Sequence, residues 1–327
     1  MKMLKNILKL TAIWMAATVS FTACEVDTTT VMFEEDHDFS QPGDTVFSML
    51  GILDKVQDVV EKGVLLGELR GDLVKPDPFV GTSSAWVDLT RFENLENATF
   101  NRYRDYYAIV NNCNFYLERA DAEMERRGQK VFLKEYAAVS AYRAWAYLQL
   151  ALLYGEVPFY TQPLLSYSEI EQVMNDPSKR KGLGEICSYF IDDLLPYVDV
   201  PFPNYGNFTY DQSSSVNSSD FFLPIRLLRG DLYLWRGSLD GNKSDFAKAA
   251  QEYRDYLLSE KRFVSPDVKV AYRTVDMDGA QIVDRWSSVF LGNNYNESIS
   301  LVPFAGNSQY GKLGSLRQSF RSFMGSD

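Results

Sequence analysis

The chain has 327 residues, 46% hydrophobic and 24% charged, enough for one large domain or two. Its net charge of −11 argues against nucleic acid, whose recognition needs basic patches, but leaves a neutral ligand open. A single histidine, His37, and three cysteines exclude most metal sites and every histidine-dependent triad, and no cofactor is expected.

Lys2, Lys5 and Lys9 precede an apolar run from Leu10 to Ala23. The run is short for a membrane span of about 20 residues and suits the hydrophobic region of a signal peptide. It ends Phe21-Thr22-Ala23-Cys24, which resembles the lipobox of bacterial lipoproteins with Phe21 in place of the usual Leu. The resemblance implies removal of residues 1–23 and lipidation of Cys24 as the new first residue, a membrane anchor. Residues 24–39 are acidic, with Glu25, Asp27, Glu34, Glu35, Asp36 and Asp38, and are expected to form a flexible tether. Acids directly after the Cys also resemble a surface-export signal of Bacteroidetes lipoproteins.

Residues 40–66 read as a first helix, with Val46, Leu50, Leu53, Val56 and Val60 at helical spacing. Loop composition follows, with Gly67, Gly71, Asp72, Pro76, Pro78, Phe79, Gly81 and Trp86. A second helix is expected over 99–120, lined by Tyr103, Tyr107, Val110, Asn114 and Leu117. Asn111, Asn112 and Asn114 weaken it intrinsically, so they are expected to bond across to a neighbouring helix or loop. Glu118 to Arg127 is read as a charged, solvated extension closed by Gly128.

Lys134 to Tyr154 is a long helical pattern, with Ala137, Ala141, Ala144, Leu148 and Leu152 on one row and Ala138, Tyr142, Trp145 and Gln149 on the next. Small residues let a neighbour approach closely, and two apolar rows require at least two partner helices. Gly155 and Pro158 end it. Tyr160 to Arg180 reads as a connector, and 185–197 as another helix, with Ile186, Phe190, Leu194 and Tyr197.

The loop 201–220 combines Asn204, Tyr205, Asn207, Phe208 and Tyr210, a mixture of aromatic faces for C–H surfaces and amides for hydroxyls; packing of the loop onto the scaffold is the favoured alternative. A further helical pair covers 221–239 and 244–258, the second opened by Ser244 as N-cap. Leu227, Gly230, Tyr233, Gly237, Phe246, Ala249 and Ala250 match the tetratricopeptide pattern, and the earlier pair starts about 33 residues apart, near that repeat's period. After Lys261, Val264, Val268, Val270, Tyr272 and Val275 look extended. Ser298 to Phe304 reads as a short strand behind Asn294 and Tyr295. The expected architecture is all-α dominated: tetratricopeptide-like helical repeats forming a right-handed α-solenoid, with long inserted loops and a few short strands.

Glu135, Tyr136, Ala138, Ala141, Arg143, Ala144, Tyr147 and Leu148, followed by Tyr154, Gly155, Val157 and Pro158, resemble the hallmark helix of the SusD/RagB family. Tyr106 to Asn114 resembles that family's second motif, and Ser298 to Phe304 its strand beyond the repeats. The resemblance implies a lipid-anchored, surface-exposed glycan-binding protein of the outer membrane, a lid on a TonB-dependent transporter of the SusC type. It divides the mature chain into an N-terminal part, about 40–200, and a repeat part, about 201–327. It also implies sequence beyond Asp327, so the chain is expected to be C-terminally incomplete, a short member being the alternative. The segment before the second helix is similar to a ligand-contacting region, which makes Trp86 the first candidate stacking platform, the cover of a helix end being the alternative, with Asp72 and Phe79 as further candidate ligand residues. Asn204, Tyr205, Tyr210, Asn294 and Tyr295 complete the candidate ligand residues.

No residue set defines an active site. There is no phosphate-cradling glycine loop and no G-x-S-x-G, and nothing selects a carboxylate pair for glycosidase chemistry. Binding without catalysis is therefore expected, against a surface glycan hydrolase or a tetratricopeptide-type protein-binding adaptor. Cys113 and Cys187 are either two free buried thiols or, if the fold brings them together, a disulfide; free thiols are favoured.

Overall fold

The computed structural model describes residues 39, 42–67, 87–88, 91–94, 101–209, 215–259, 273–275, 281–284 and 302. The signal peptide, Cys24 and the tether up to 38 lie outside the described residues, as do Val264 to Tyr272 and the strand expected at 298–304 apart from Val302. Among the described residues, seven α-helices form the scaffold: α1 (Pro42–Gly67), α2 (Tyr103–Arg119), α3 (Leu133–Tyr154), α4 (Tyr167–Asn175), α5 (Leu183–Asp193), α6 (Ile225–Asp240) and α7 (Lys243–Ser259). The all-α-dominated reading holds.

Helix α3 is central. It packs on α1, α2, α5 and α6, twice the number of partners that its two apolar rows demanded. Alanines 137, 138, 141, 144, 146 and 151 are all buried, and so are Val139, Tyr142, Tyr147, Leu148 and Leu150. Burial on every side explains why no single stripe dominates its sequence.

Around it, α1, α2, α3, α5, α6 and α7 each pack on the next in that order. The neighbours alternate in direction. Lys62 near the end of α1 pairs with Asp105 at the start of α2 at 2.6 Å. Tyr103 at the start of α2 meets Tyr154 at the end of α3, ring centroids 6.1 Å apart. Helices α6 and α7 close most tightly. A Cβ on Gly230 would lie 2.3 Å from Tyr253 Cε1, and one on Gly237 would lie 3.1 Å from Asp245 Cβ and Phe246 Cε1. The small positions of the tetratricopeptide pattern are thus the points of closest approach between the paired helices.

Local departures from the sequence reading have local causes. The buried face of α1 is Met49, Ile52, Val56, Val59 and Leu66, rotated about one residue from the expected row, because both rows are apolar. The core reaches back to Phe39, whose ring lies 5.0 Å from that of Tyr116. Helix α2 stops at Arg119, and Glu118 to Arg127 is no helical extension. Instead β1 (Glu125–Arg126) pairs with β2 (Gln129–Lys130) across a two-residue turn. Arg127 (φ 53°) and Gly128 (φ 74°) both take the left-handed conformation that such a turn needs.

The expected connector 160–180 contains α4, opened by a capping box in which Ser166 and Glu169 satisfy each other's backbone N–H groups. It is bracketed by β3 (Val157–Pro158) pairing with β4 (Arg180–Lys181). Loop 201–220 folds into a hairpin, β5 (Asn207–Thr209) against β6 (Ser215–Asn217). Helix α6 begins after Pro224 rather than at Phe221, since a proline disfavours helical backbone in the residue before it. Ser244 does not cap α7. Asn242 does, its Oδ1 accepting the Ser244 N–H at 3.0 Å. Finally β7 (Arg273–Val275) pairs with β8 (Gln281–Asp284), which makes Val275 extended as expected.

Cys113 and Cys187 are free and buried. Burial pushes both thiols up to about 12. Neither should react with a thiol reagent at pH 8 until the chain unfolds; rapid labelling of the native protein would contradict this packing. Two glycines should respond in opposite directions to alanine in urea denaturation. Gly230→Ala should lose about 1–3 kcal/mol by overpacking against Tyr253. Gly51→Ala, where nothing lies within 4 Å of the new Cβ, should gain about 0.5–1 kcal/mol.

Candidate ligand cleft

The polar side chains of α3 hold the surrounding loops. Glu135, only 8% exposed, accepts hydrogen bonds from two tyrosines. Tyr116 Oη donates to one carboxylate oxygen at 2.8 Å, and Tyr205 Oη to the other at 2.8 Å. Burial, reinforced by the Glu135 charge, holds both phenols well above the usual tyrosine range. Tyr205 also donates its backbone N–H to Ser218 Oγ at 2.7 Å, and its ring packs edge-on to Phe222 at 6.3 Å. Its neighbour Asn204 turns the chain, Oδ1 accepting the Gly206 N–H at 2.8 Å, with Gly206 at φ 91°. Of the predicted ligand residues in this loop, Tyr205 is therefore mainly a strut that ties the loop to α3. Phe208 likewise packs on Phe221 at 5.7 Å.

A second constellation clamps the strap between α3 and α4. Tyr107 Oη donates to the Pro158 carbonyl at 2.7 Å. Asn111 accepts the Leu164 N–H at 2.7 Å and donates to the Leu164 carbonyl at 2.9 Å. Asn114 donates to the carbonyls of Tyr160 and Gln162, both at 3.3 Å. Tyr147 Oη donates to the Tyr160 carbonyl and accepts its N–H, at 2.7 and 2.9 Å. Arg143 Nη1 holds the Asn114 amide oxygen at 3.1 Å, and its Nη2 pairs with Asp193 at 3.1 Å. The expectation that the asparagines of α2 bond across to a loop is met by Asn111 and Asn114 and not by Asn112.

One described cleft opens at the N-terminal end of α3, with a volume of about 360 Å³. Lys134, Ala137 and Ala138 of α3, the segment 198–204, residues 219–226 and the end of α7 enclose it. Phe202, Leu223 and Tyr256 give apolar wall, while Asp199, Asn204, Ser219 and Arg226 give polar lip. Arg226 bridges the lip, bonded to Asp199 at 2.6 Å and Glu252 at 3.3 Å; the Asp199 hydrogen bond keeps its guanidinium firmly protonated.

The structure brings Asn204 into this cleft with Tyr205 beside it. Asp72, Phe79, Trp86, Tyr210, Asn294 and Tyr295 lie outside the described residues. Sequence reasoning missed Asp199, Phe202, Arg226 and Tyr256, which no local pattern connects. Arg226 alone carried a signal, a cation in the first turn of a helix where the dipole disfavours it.

The architecture defines a class, an α-helical scaffold of paired helices with short hairpins and a cleft between helix ends. More particularly, the fold is similar to that of a solved SusD superfamily protein. A SusD superfamily protein from Bacteroides thetaiotaomicron VPI-5482 matches with a TM-score of 0.50 at 18% identity, over 69% of this chain and 49% of that one. A laminarin-binding SusD-like protein matches with a TM-score of 0.47 at 17% identity, over 79% of this chain and 50% of that one. A SusD superfamily protein from Parabacteroides distasonis ATCC 8503 matches with a TM-score of 0.46 at 20% identity, over 66% of this chain and 45% of that one. The chain thus spans about half the length of the solved proteins it resembles. No protein-family model and no curated protein matches the sequence. At such identities the likeness is one of fold.

Tyr205→Phe removes one of the two hydrogen bonds on a buried carboxylate. It should lower unfolding free energy by about 1.5–3 kcal/mol in equilibrium denaturation. A variant as stable as the parent would show that Tyr205 does not tie its loop to α3.

Proposed function

We propose that the chain is a surface glycan-binding lipoprotein that captures an oligosaccharide without cleaving it and passes it to a SusC-like TonB-dependent transporter in the outer membrane. One observation carries this reading. The residues that give the sequence its SusD/RagB resemblance are those that build the SusD-superfamily fold: Glu135, Arg143 and Tyr147 each bind a loop or a neighbouring helix to α3. Cys24, as the lipidated first residue of the mature chain, supplies the anchor, and an acidic segment follows it. Among the described residues no helix is long and apolar enough to cross a membrane.

The chemistry of the cleft supports binding over turnover. Among the described residues its lining contains a single carboxylate, Asp199, whereas glycosidic cleavage needs two carboxyls flanking one bond. Trp86, in the segment after α1, remains the proposed stacking platform, with Asp72, Phe79, Tyr210, Asn294 and Tyr295 as further contacts.

A glycan array probed with the mature protein, followed by product analysis of each ligand, separates binder from hydrolase: retained, uncut ligand is expected, and released shorter sugars would sink the proposal. On the best ligand, Trp86→Ala should weaken affinity by about 1–2 kcal/mol in calorimetry. Cys24→Ala should abolish palmitate incorporation and release the protein from the membrane fraction; persistence there would remove the lipid anchor.

A further inference from the structure

We propose that the cleft at the N-terminal end of α3 is a subsite for one ring of an uncharged saccharide. The proposal rests on the glycan reading above and adds to it a place and a ligand class.

The place follows from the helix directions. The end of α1 and the start of α2 lie beside the C-terminal end of α3. The cleft lies near the other end of this 22-residue helix, about 25 Å away along its axis.

The ligand class follows from the lining. Phe202 and Tyr256 supply apolar wall of the kind that packs on the C–H face of a pyranose. The charges beside them are already paired. Arg226 is bonded to Asp199 at 2.6 Å and to Glu252 at 3.3 Å, so an ionic ligand would have to displace an existing partner. A paired carboxylate and guanidinium still offer adjacent lone pairs and N–H groups, a match for neighbouring hydroxyls on one ring. Asn204 has its Oδ1 committed to Gly206, which leaves its Nδ2 to donate. Only Lys134, at the exposed lip, pairs with no carboxylate among the described residues. A volume of about 360 Å³ lies at the small end of the range for ligand pockets, which suits a terminal ring rather than a long chain.

The test is calorimetry of the purified protein against neutral disaccharides of glucose, galactose and mannose and their glucuronic-acid counterparts. At least one neutral disaccharide should bind with little dependence on salt. Asp199→Ala and Phe202→Ala should each weaken it by about fivefold or more at unchanged melting temperature, and Lys134→Met should leave it unaltered. Should Phe202→Ala unfold, Asp199→Ala decides, since that side chain is 80% exposed. Loss of binding in Trp86→Ala with no change in either cleft variant overturns the subsite and leaves the glycan reading standing. A preference for the uronate form that Lys134→Met removes overturns the ligand class. Binding of no saccharide at all overturns both.

Discussion

A helix buried along most of its length gives most of its side chains no route to water, and that constraint on α3 governs the rest of the molecule. Its neighbours can come close only where its own side chains are small, and alanine occupies six of its buried positions. Its polar side chains must find partners inside the protein, because an unpaired buried polar group is costly. Glu135 is bonded to Tyr116 and Tyr205, Arg143 to Asn114 and Asp193, Tyr142 to the Phe221 carbonyl, and Tyr147 to Tyr160. Three of these partners, Tyr205, Phe221 and Tyr160, lie outside the α-helices. Satisfying the polar groups of the core therefore fixes the loops at its surface.

The α6–α7 pair obeys a milder form of the same rule. There glycine rather than alanine sets the closest approach, at Gly230 and Gly237. Polar pairs again lock the contact: Arg236 grips Asp245 at 2.7 Å, and Tyr253 Oη donates to Asp231 at 2.6 Å. Helix α7 buries only Asp245, Ala249 and Tyr256, so it depends on α6 as α3 does not. The steric demand is local to each pair, which is why short patterns of small residues predict it.

That distinction explains how much was legible in the sequence. Helices came through well, because period and small-residue spacing are local, and the bonding of Asn111 and Asn114 followed from their poor fit to a helix interior. Local chemistry that was overlooked accounts for several differences: the Ser166–Glu169 capping box announces α4, Gly128 after Arg127 suits a hairpin turn, and Pro224 delays α6. The rotation of the α1 face had no such signal, since Val46 and Met49 are equally apolar. Packing of the 201–220 loop onto the scaffold was expected, but the partner that Tyr205 finds there was hidden for a different reason. An aromatic beside asparagines in a loop suits sugar, yet its hydroxyl binds Glu135, 70 positions away in sequence. The cleft residues share this difficulty, because Lys134, Phe202 and Tyr256 meet only through the fold.

The sealed helix and the cleft have one origin. Ala137 and Ala138 are small because α3 must admit close neighbours, but at its first turns the neighbour is the segment 198–204 rather than a helix. Small side chains opposite an irregular segment leave a hollow. That segment is held off α3 at a fixed distance by the Tyr205–Glu135 bond and the turn at Asn204. The same carboxylate that satisfies the core thus sets the width of the cleft. A cleft shaped by buried bonds rather than by mobile side chains is pre-organised, so on the proposed reading little ordering entropy is lost when a ligand enters.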